Sequence, residues 1–435
     1  MTLSNSLRAS LALALLLPAV PALAQDTTSN RGVRIGLSYQ LGGRPGVYIA
    51  PVTGPAGDSV RAILQRDLDN GDRVTIVGSD SAGLALAPLI RGTTPSYEIF
   101  ARLGAAALVV ATQTPTGLRV ALHDVAARKV AGARNFALPA FSSAREWRAA
   151  LHAVSDEVEQ WITGTRGIAA TRIAFSRGGR LFIIDSDGWG ETAAGGSAPA
   201  LSPGWHPNGQ RLVYSVLGEA GSRIMVLELS GGANRALVSR GGLNITPVYS
   251  PDGMTVLFSS GAEDGTDLHA VPASGGAPRR VTVGRGTDNV SPSYSPDGRR
   301  VAFTSGRSGH PEVYIMDADG TGAELLTPFA FGDQYYRSNP DWSPDGRSVA
   351  FQSQVAGQFQ VMTISLRDRS VKQHTSESTN EDPSWAPDGR HLVFTSSRTG
   401  VKQLWVLDTE TGRVRQLTRT GGARLAAWSP RLAGR

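Results

Sequence analysis

The sequence predicts an α+β N-terminal domain followed by an all-β six-bladed β-propeller, its ring closed by the C-terminal strand. Three observations lead there. A short aromatic-Pro-Asp-Gly segment recurs, as WHPNG at 205, YSPDG at 249 and 294, WSPDG at 342 and WAPDG at 385, with a clipped WSP at 428. The anchoring aromatics Trp205, Tyr249, Tyr294, Trp342, Trp385 and Trp428 stand 44, 45, 48, 43 and 43 residues apart. A period of about 40–45 residues built of short strands is the mark of a propeller blade. Helix periodicity, by contrast, is confined to the residues before Thr171. Finally, RIAFS (Arg172 to Ser176) opens the array with no turn before it, and AAWSP closes it with no strand after it. The two fragments complement each other. The strand carrying Trp428 is expected to enter the blade begun by Ile173 to Phe175, which makes six blades and hides sheet edges that would otherwise invite aggregation.

The elements follow in chain order. Residues 1–24 read as a cleaved signal peptide. Arg8 supplies the positive start, Leu11 to Leu17 the apolar centre, and Ala22 to Ala24 a small-x-small site that places cleavage between Ala24 and Gln25. The apolar stretch is short for a bilayer span, and Pro18 and Pro21 interrupt it. The mature protein is expected to be exported and soluble. The chain has no cysteine, which excludes disulfides and thiolate metal sites and fits an oxidising compartment.

Residues 25–165 are expected to form the α/β domain. Val33 to Tyr39 and Val47 to Val52 read as strands. Asp58 is placed to cap a helix over Ser59 to Asn70 that buries Val60, Ile63, Leu64 and Leu68 and stops at Gly71. Arg73 to Gly78 reads as a strand, Ser96 to Ala105 as a helix and Ala107 to Thr112 as a buried strand. Gly117 to Val125 and Arg128 to Leu138 read as a hairpin. A long helix over Ser143 to Thr163 opens with a capping box, Ser143 with Glu146. Trp147, Leu151, Val154, Val158 and Trp161 recur at spacings of four and three, the stripe of a helix packed on a sheet.

Residues 171–435 are expected to form the propeller. Each turn is followed by a strand such as RVAFTS at 300, a second such as EVYIMDA at 312, a third such as RRVTV at 279, and a fourth returning to the next aromatic. In the turn, Pro presets φ, Asp accepts local backbone bonds and Gly supplies the positive φ. Asp252, Asp297, Asp345 and Asp388 are therefore structural, and the aromatic is placed to wedge between blades.

Composition excludes some functions. The formal charge is +6, and +5 once Arg8 is removed. Lysine occurs only at Lys129, Lys372 and Lys402, and no run of four basic residues exists, so nucleic acid is not an expected partner. The seven histidines, His123, His152, His206, His269, His310, His374 and His391, show no ligand spacing, and His206 and His391 are expected in exposed turns. No cofactor and no metal are expected. Propeller channels trap cations on loop carboxylates, and Asp382 with Glu381 is the pair placed for it.

From Ser155 to Ser176 the chain reads SDEVEQWITGTRGIAATRIAFS, and it ends AAWSPRL before its last residues. With six WSPDG-type blades, these segments resemble the TolB family, the periplasmic propeller proteins of the Tol–Pal system of Gram-negative envelopes. The resemblance covers about 152–435 well and rests before that mainly on the order of elements. It implies a non-enzymatic, monomeric adaptor. The propeller face would bind the peptidoglycan-associated lipoprotein Pal, and the mature N-terminal segment would engage the inner-membrane protein TolA. Other outer-membrane proteins would be further partners. The implied role is outer-membrane integrity and constriction during cell division. Propellers of the family are also parasitised by imported bacteriocins.

The resemblance points to Leu243, Asn244, Thr246, Asn289, Val290 and Ser291 as partner contacts. The repeat extends the set. A proline stands two residues before each aromatic, and before it lie Ser202, Thr246, Ser291, Asn339, Asp382 and, at the seam, Leu425. Three residues before the proline stand Ala200, Asn244, Asn289, Arg337 and Asn380. Equivalent blade positions put such residues in rings at one channel mouth. The candidate face is thus Ser202, Leu243, Asn244, Thr246, Asn289, Val290, Ser291, Arg337, Asn339, Asn380 and Asp382. FAFGDQYYR at 329 lengthens the fourth repeat and is placed to extend that rim. The TolA-binding segment implied is Gln25 to Arg34, with Gln25, Asp26, Arg31 and Arg34 as its contacts. The competing reading is a secreted propeller enzyme acting on saccharide or peptide. A peptidase of that kind would show a G-x-S-x-G elbow and an α/β region after the propeller, and neither is found.

Overall fold

The computed structural model describes residues 43–78, 95–141, 144–219, 221–239, 242–262, 265–284, 286–328 and 335–432. The expected signal peptide, the segment with Gln25, Asp26, Arg31 and Arg34, the first expected strand, Ser143 and residues 329–334 lie outside these. Among the described residues no helix is long and apolar enough to cross a membrane.

The first unit is a five-stranded sheet in the order Thr75–Ile76, Gly46–Ile49, Ala105–Thr114, Gly117–Asp124, Lys129–Ala137. The first two pairings are parallel and the last two antiparallel. Helices α1 (Gly57–Asn70) and α3 (Ala144–Thr163) bring the two expected stripes onto one face, where Val60, Leu64, Leu68, Trp147, Leu151 and Trp161 meet Val47, Ile49 and Val109. Between them in the chain, the short α2 (Tyr97–Arg102) covers the other face, with Phe100 against Tyr48 and Leu108. Buried on both faces, the Gly46–Ile49 strand alternates its side chains between the two cores.

Two details differ from expectation. Asp58 lies inside the first turn of α1; the cap is Ala56, without a side-chain bond, so the carboxylate acts on the helix dipole rather than as a cap. Gly71 does end α1, but with right-handed φ of −73°, and the left-handed residue is Asp72 at 56°. Gly71 is required for another reason. A Cβ there would lie 2.4 Å from Glu159 Oε2 on α3.

The propeller is six four-stranded antiparallel sheets. Blades 2 to 6 start with the inner strands Ala200–Trp205, Leu243–Tyr249, Asn289–Tyr294, Arg337–Trp342 and Asn380–Trp385. Blade 1 has Arg424–Trp428 as its inner strand, paired to Arg172–Arg177 with Trp428 opposite Ile173 and Ala427 opposite Ala174. The ring closes as the two sequence fragments require.

The repeated turn behaves as its chemistry dictates. Gly209, Gly253, Gly298, Gly346 and Gly389 have φ between 67° and 75°. Asp252 accepts Met254 N at 2.9 Å and Ser250 Oγ at 2.5 Å, and Asp297 and Asp345 repeat the pattern. The aromatics wedge between blades. Trp205 packs on Ala174, Leu181 and Ile183 of blade 1 and donates Nε1 to Ala427 O at 3.0 Å. Trp385 donates to Asp341 O of blade 5 at 3.1 Å.

Candidate protein-binding face

The residue before each inner-strand proline, and its counterpart at the seam, is left-handed. Ser202, Thr246, Ser291, Asn339, Asp382 and Leu425 all have φ between 50° and 54°. None is glycine, and such backbone normally costs about 1–3 kcal/mol. Strand pairing explains it. In blade 2, Val213 faces Gly204 while Ser215 faces Leu201, so the inner strand carries one extra residue. Every inner strand shows the same slip. These are six β-bulges, and they turn their residues toward the ring axis.

Bulging frees a backbone N–H, and at three of the bulges a neighbouring blade takes it. Ser291 N donates to Ser259 Oγ of blade 3 at 3.1 Å. Asn339 N donates to Thr304 Oγ1 of blade 4 at 3.1 Å, and Asp382 N to Gln352 Oε1 of blade 5 at 2.9 Å. Side chains continue the ring: Ser291 Oγ donates to Asn339 Oδ1 at 3.0 Å, and Asn339 Nδ2 to Asp382 Oδ1 at 2.6 Å. Together the bulges line a central channel of about 540 Å³ with the prolines and the anchoring aromatics.

Two carboxylates sit in this wall. Burial pushes Asp341 up to about 6, although it accepts Trp385 N at 2.7 Å and Ser293 Oγ at 3.1 Å. Burial and the neighbouring Glu381 charge also raise Asp382. Glu381 is paired with Lys402 at 2.5 Å. Asp382 and Glu381, the carboxylates placed for a channel cation, are thus engaged within the chain.

The remaining sequence-predicted residues divide. Asn244, Asn289 and Asn380 are buried. Asn289 donates to Asp267 at 2.9 Å and accepts from Ser305; Asn380 donates to Gln360 at 2.9 Å and accepts from Arg398; Asn244 donates to Ser222 O at 2.8 Å. Their side chains lock the start of each inner strand and are not presented to a partner. Arg337 is held by Glu312 at 3.2 Å and Pro328 O at 2.7 Å, with its guanidinium 3.9 Å from the centre of the Tyr335 ring. Ser202, Thr246, Ser291, Asn339 and Asp382 form the half-buried channel wall rather than loops at its mouth. Leu243 and Val290 reach the rim, Leu243 at 43% exposure. Sequence reasoning missed Val283, 67% exposed, and Leu217, Val355 and Val401, also exposed; Tyr336, 44% exposed and edge-to-face with Phe359, belongs to the stretch flagged as a rim extension. Large apolar residues at strand-connecting positions were the available signal.

All these rim residues lie at the end of the blades away from the α/β unit. That unit packs on the other end, through ions. Asp72 accepts from Arg413 at 2.9 Å and lies 3.4 Å from His391 Nε2, whose Nδ1 is 2.8 Å from Asp388. Arg73 bridges Glu159 at 3.3 Å and Asp388 at 3.1 Å. Beside blade 1, Asp187 meets Arg148 at 2.5 Å and Arg66 at 3.1 Å, and Asp67 holds His152 at 2.7 Å. His391 is fully buried, which corrects the exposed turn expected for it; His206 is half-buried. Burial alone would lower His391, but its bonds to Asp388 and Asp72 more than offset this and raise it to about 9. Burial lifts Glu159 to about 8 against the pull of Arg73. Two groups here, Asp67 with His152 and Asp187, and Asp72 with His391 and Asp408, have the residue types of a cation site. Asp187 and Asp408 are already bound to guanidinium groups, so both groups are ion-pair networks.

Comparison with known proteins bears on this architecture. The profile described as "TolB beta propeller domain" matches residues 159–432. The Tol-Pal system protein TolB of Haemophilus influenzae (strain ATCC 51907 / DSM 11121 / KW20 / Rd) is 28% identical over 242 residues, 52% of this chain and 55% of that protein. Its namesake from Legionella pneumophila (strain Corby) is 28% identical over 199 residues, 43% of this chain and 46% of that protein. The matched stretch thus spans about half the length of these relatives. The crystal structure of TolB from Acinetobacter baumannii superposes with a TM-score of 0.76 at 26% identity, covering 89% of this chain and 97% of that one. A profile match over more than half of the chain, on a six-bladed ring closed at the same seam that the repeat predicts, shows that this chain belongs to the TolB β-propeller family.

Proposed function

We propose that the chain is a non-enzymatic periplasmic adaptor of the Tol–Pal system, exported after cleavage between Ala24 and Gln25. It binds the peptidoglycan-associated lipoprotein Pal through the free end of the propeller, and TolA through the segment from Gln25 to Arg34. One observation carries the reading of the face. Exposed apolar side chains, Leu243, Val283 and Tyr336 foremost, stand on the end of the blades that the α/β unit leaves open. Large apolar and aromatic residues in a polar surround are the composition of a protein-binding patch. The channel carboxylates Asp341 and Asp382 are held by donors of their own chain, which favours a structural use over acid–base chemistry.

Titration of the mature chain with the periplasmic domain of Pal from the same genome tests this. Leu243→Asp combined with Tyr336→Ala is expected to weaken binding at least about 30-fold, the loss of a central anchor. Removing residues 25–34 is expected to abolish capture by TolA and to leave Pal binding intact. An unaltered chain that does not bind Pal, or turns over a saccharide or peptide, overturns the proposal.

A further inference from the structure

One sector of the free end differs from the rest. Three connections meet at the outer end of blade 1: the turn 177–180 (RGGR), the stretch 195–200 (GGSAPA) and the crossing 417–424 (LTRTGGAR). They contain four arginines and no carboxylate. Arg177 is engaged, bound to Glu191 at 2.9 Å and lying 5.1 Å from the ring centres of both Phe175 and Phe182. Arg180, Arg419 and Arg424 are exposed, and their side chains make no ion pair or hydrogen bond with any described residue.

Strand pairing fixes two of them. Arg424 faces Ser176, and Ser176 faces Leu181, the neighbour of Arg180. The backbones of Arg424 and Arg180 are thus two strands apart, about 10 Å, with the side chains leaving opposite faces of the sheet at its free end. The crossing that carries Arg419 is pinned by Gly422 N donating to Lys402 O at 2.9 Å, so its position is set as well. Elsewhere on this end exposed carboxylates intervene: Glu219 at blade 2, Asp288 between blades 3 and 4, Glu377 between blades 5 and 6. Near the seam the exposed carboxylate Glu191 is taken up by Arg177, and the charge left unpaired is positive.

We propose that the seam sector, Arg180, Arg419 and Arg424, receives an acidic segment of the protein partner. The apolar residues at blades 2, 3 and 5 carry the burial. This rests on the reading of the free end as the partner-binding face. Arginine suits the role because its planar fork matches carboxylates two bonds at a time and is weakly hydrated for a cation. Charges at the edge of an interface act mainly on encounter and orientation.

The test follows association kinetics with the periplasmic domain of Pal at low and high salt. Changing Arg180, Arg419 and Arg424 together to Glu is expected to slow association on the order of 10- to 100-fold at low salt and to remove most of the salt dependence. The matching triple change to Lys is expected to stay within about threefold, since the charge is kept. If the Glu triple variant associates like the unaltered chain while Leu243→Asp still weakens binding, the seam assignment falls and the face stands. If the unaltered chain does not bind Pal, the reading of the face falls and this inference with it. A third arm uses equimolar phosphatidylglycerol–phosphatidylethanolamine vesicles. Capture by the unaltered chain but not by the Glu variant reassigns the sector to anionic lipid and overturns the acidic-protein assignment.

Discussion

Leu425 occupies the same left-handed bulge position as Ser202, Thr246, Ser291, Asn339 and Asp382, yet has no polar side chain and no proline after it. Ser291, Asn339 and Asp382 offset their backbone strain with side-chain bonds around the channel; Leu425 has no such bond. Asparagine tolerates the left-handed region better than leucine. Leu425→Asn is therefore expected to raise stability by about 0.5–1 kcal/mol, read as a higher denaturant midpoint at unchanged slope. These six positions were recognisable as a ring from the repeat, but not as bulges. A residue before proline normally favours extended backbone, and only the register against the second strand reveals the extra residue. The asparagines were misplaced for a related reason. A polar side chain reads as surface in a sequence, and the side-chain donors and acceptors that meet Asn289 and Asn380 come from residues at least 16 positions away.

At the scale of the element, blades 3, 4 and 5 each hold the next through one polar residue after the aromatic: Phe258-Ser259, Phe303-Thr304 and Phe351-Gln352. The pair is visible in the repeated strand pattern, but its partner in the following blade is not. Thr304→Val keeps shape and strand propensity while leaving Asn339 N without its acceptor. The expected loss is about 1–2 kcal/mol by chemical denaturation, more than a surface Thr→Val change produces. A value near zero would show that the tie is dispensable. The aromatic anchors, in contrast, were legible as wedges, because a large side chain repeated at blade period has only the neighbouring blade to pack on. In the first unit the stripes of α1 and α3 were equally plain, while the need for Gly71 was not, since it lies in the approach of Glu159 from a helix about 90 residues later.

For the whole molecule, the decisive contacts join distant parts of the chain. The seam pairs Trp428 with Ile173, and the joint sets Asp72 against His391 and Arg413. The raised pKa of His391 gives the joint a pH dependence. Its contribution is fully present below the ordinary histidine value of 6.5 and is lost as pH rises through about 9. The buried Glu159, lifted to about 8, adds to the loss because its ionisation is disfavoured in the folded state. Stability is expected to fall by on the order of 2–3 kcal/mol between about pH 6.5 and pH 9. His391→Gln should be less stable at low pH and show a flatter profile in thermal melts. An identical pH slope in the variant would assign the dependence elsewhere.

By itself the sequence determined the fold class, the blade count, the closing strand and the turn chemistry. Each is written in local pattern and repeated at a fixed period, so a single copy that is hard to read is corrected by the others. Only the tertiary structure decided which polar residues face a partner and which are consumed in bulges, blade ties and the ionic joint. It also revealed the uncompensated arginines near the seam. Those outcomes depend on donors, acceptors and charges brought together from opposite ends of the chain, and no local pattern records such a meeting.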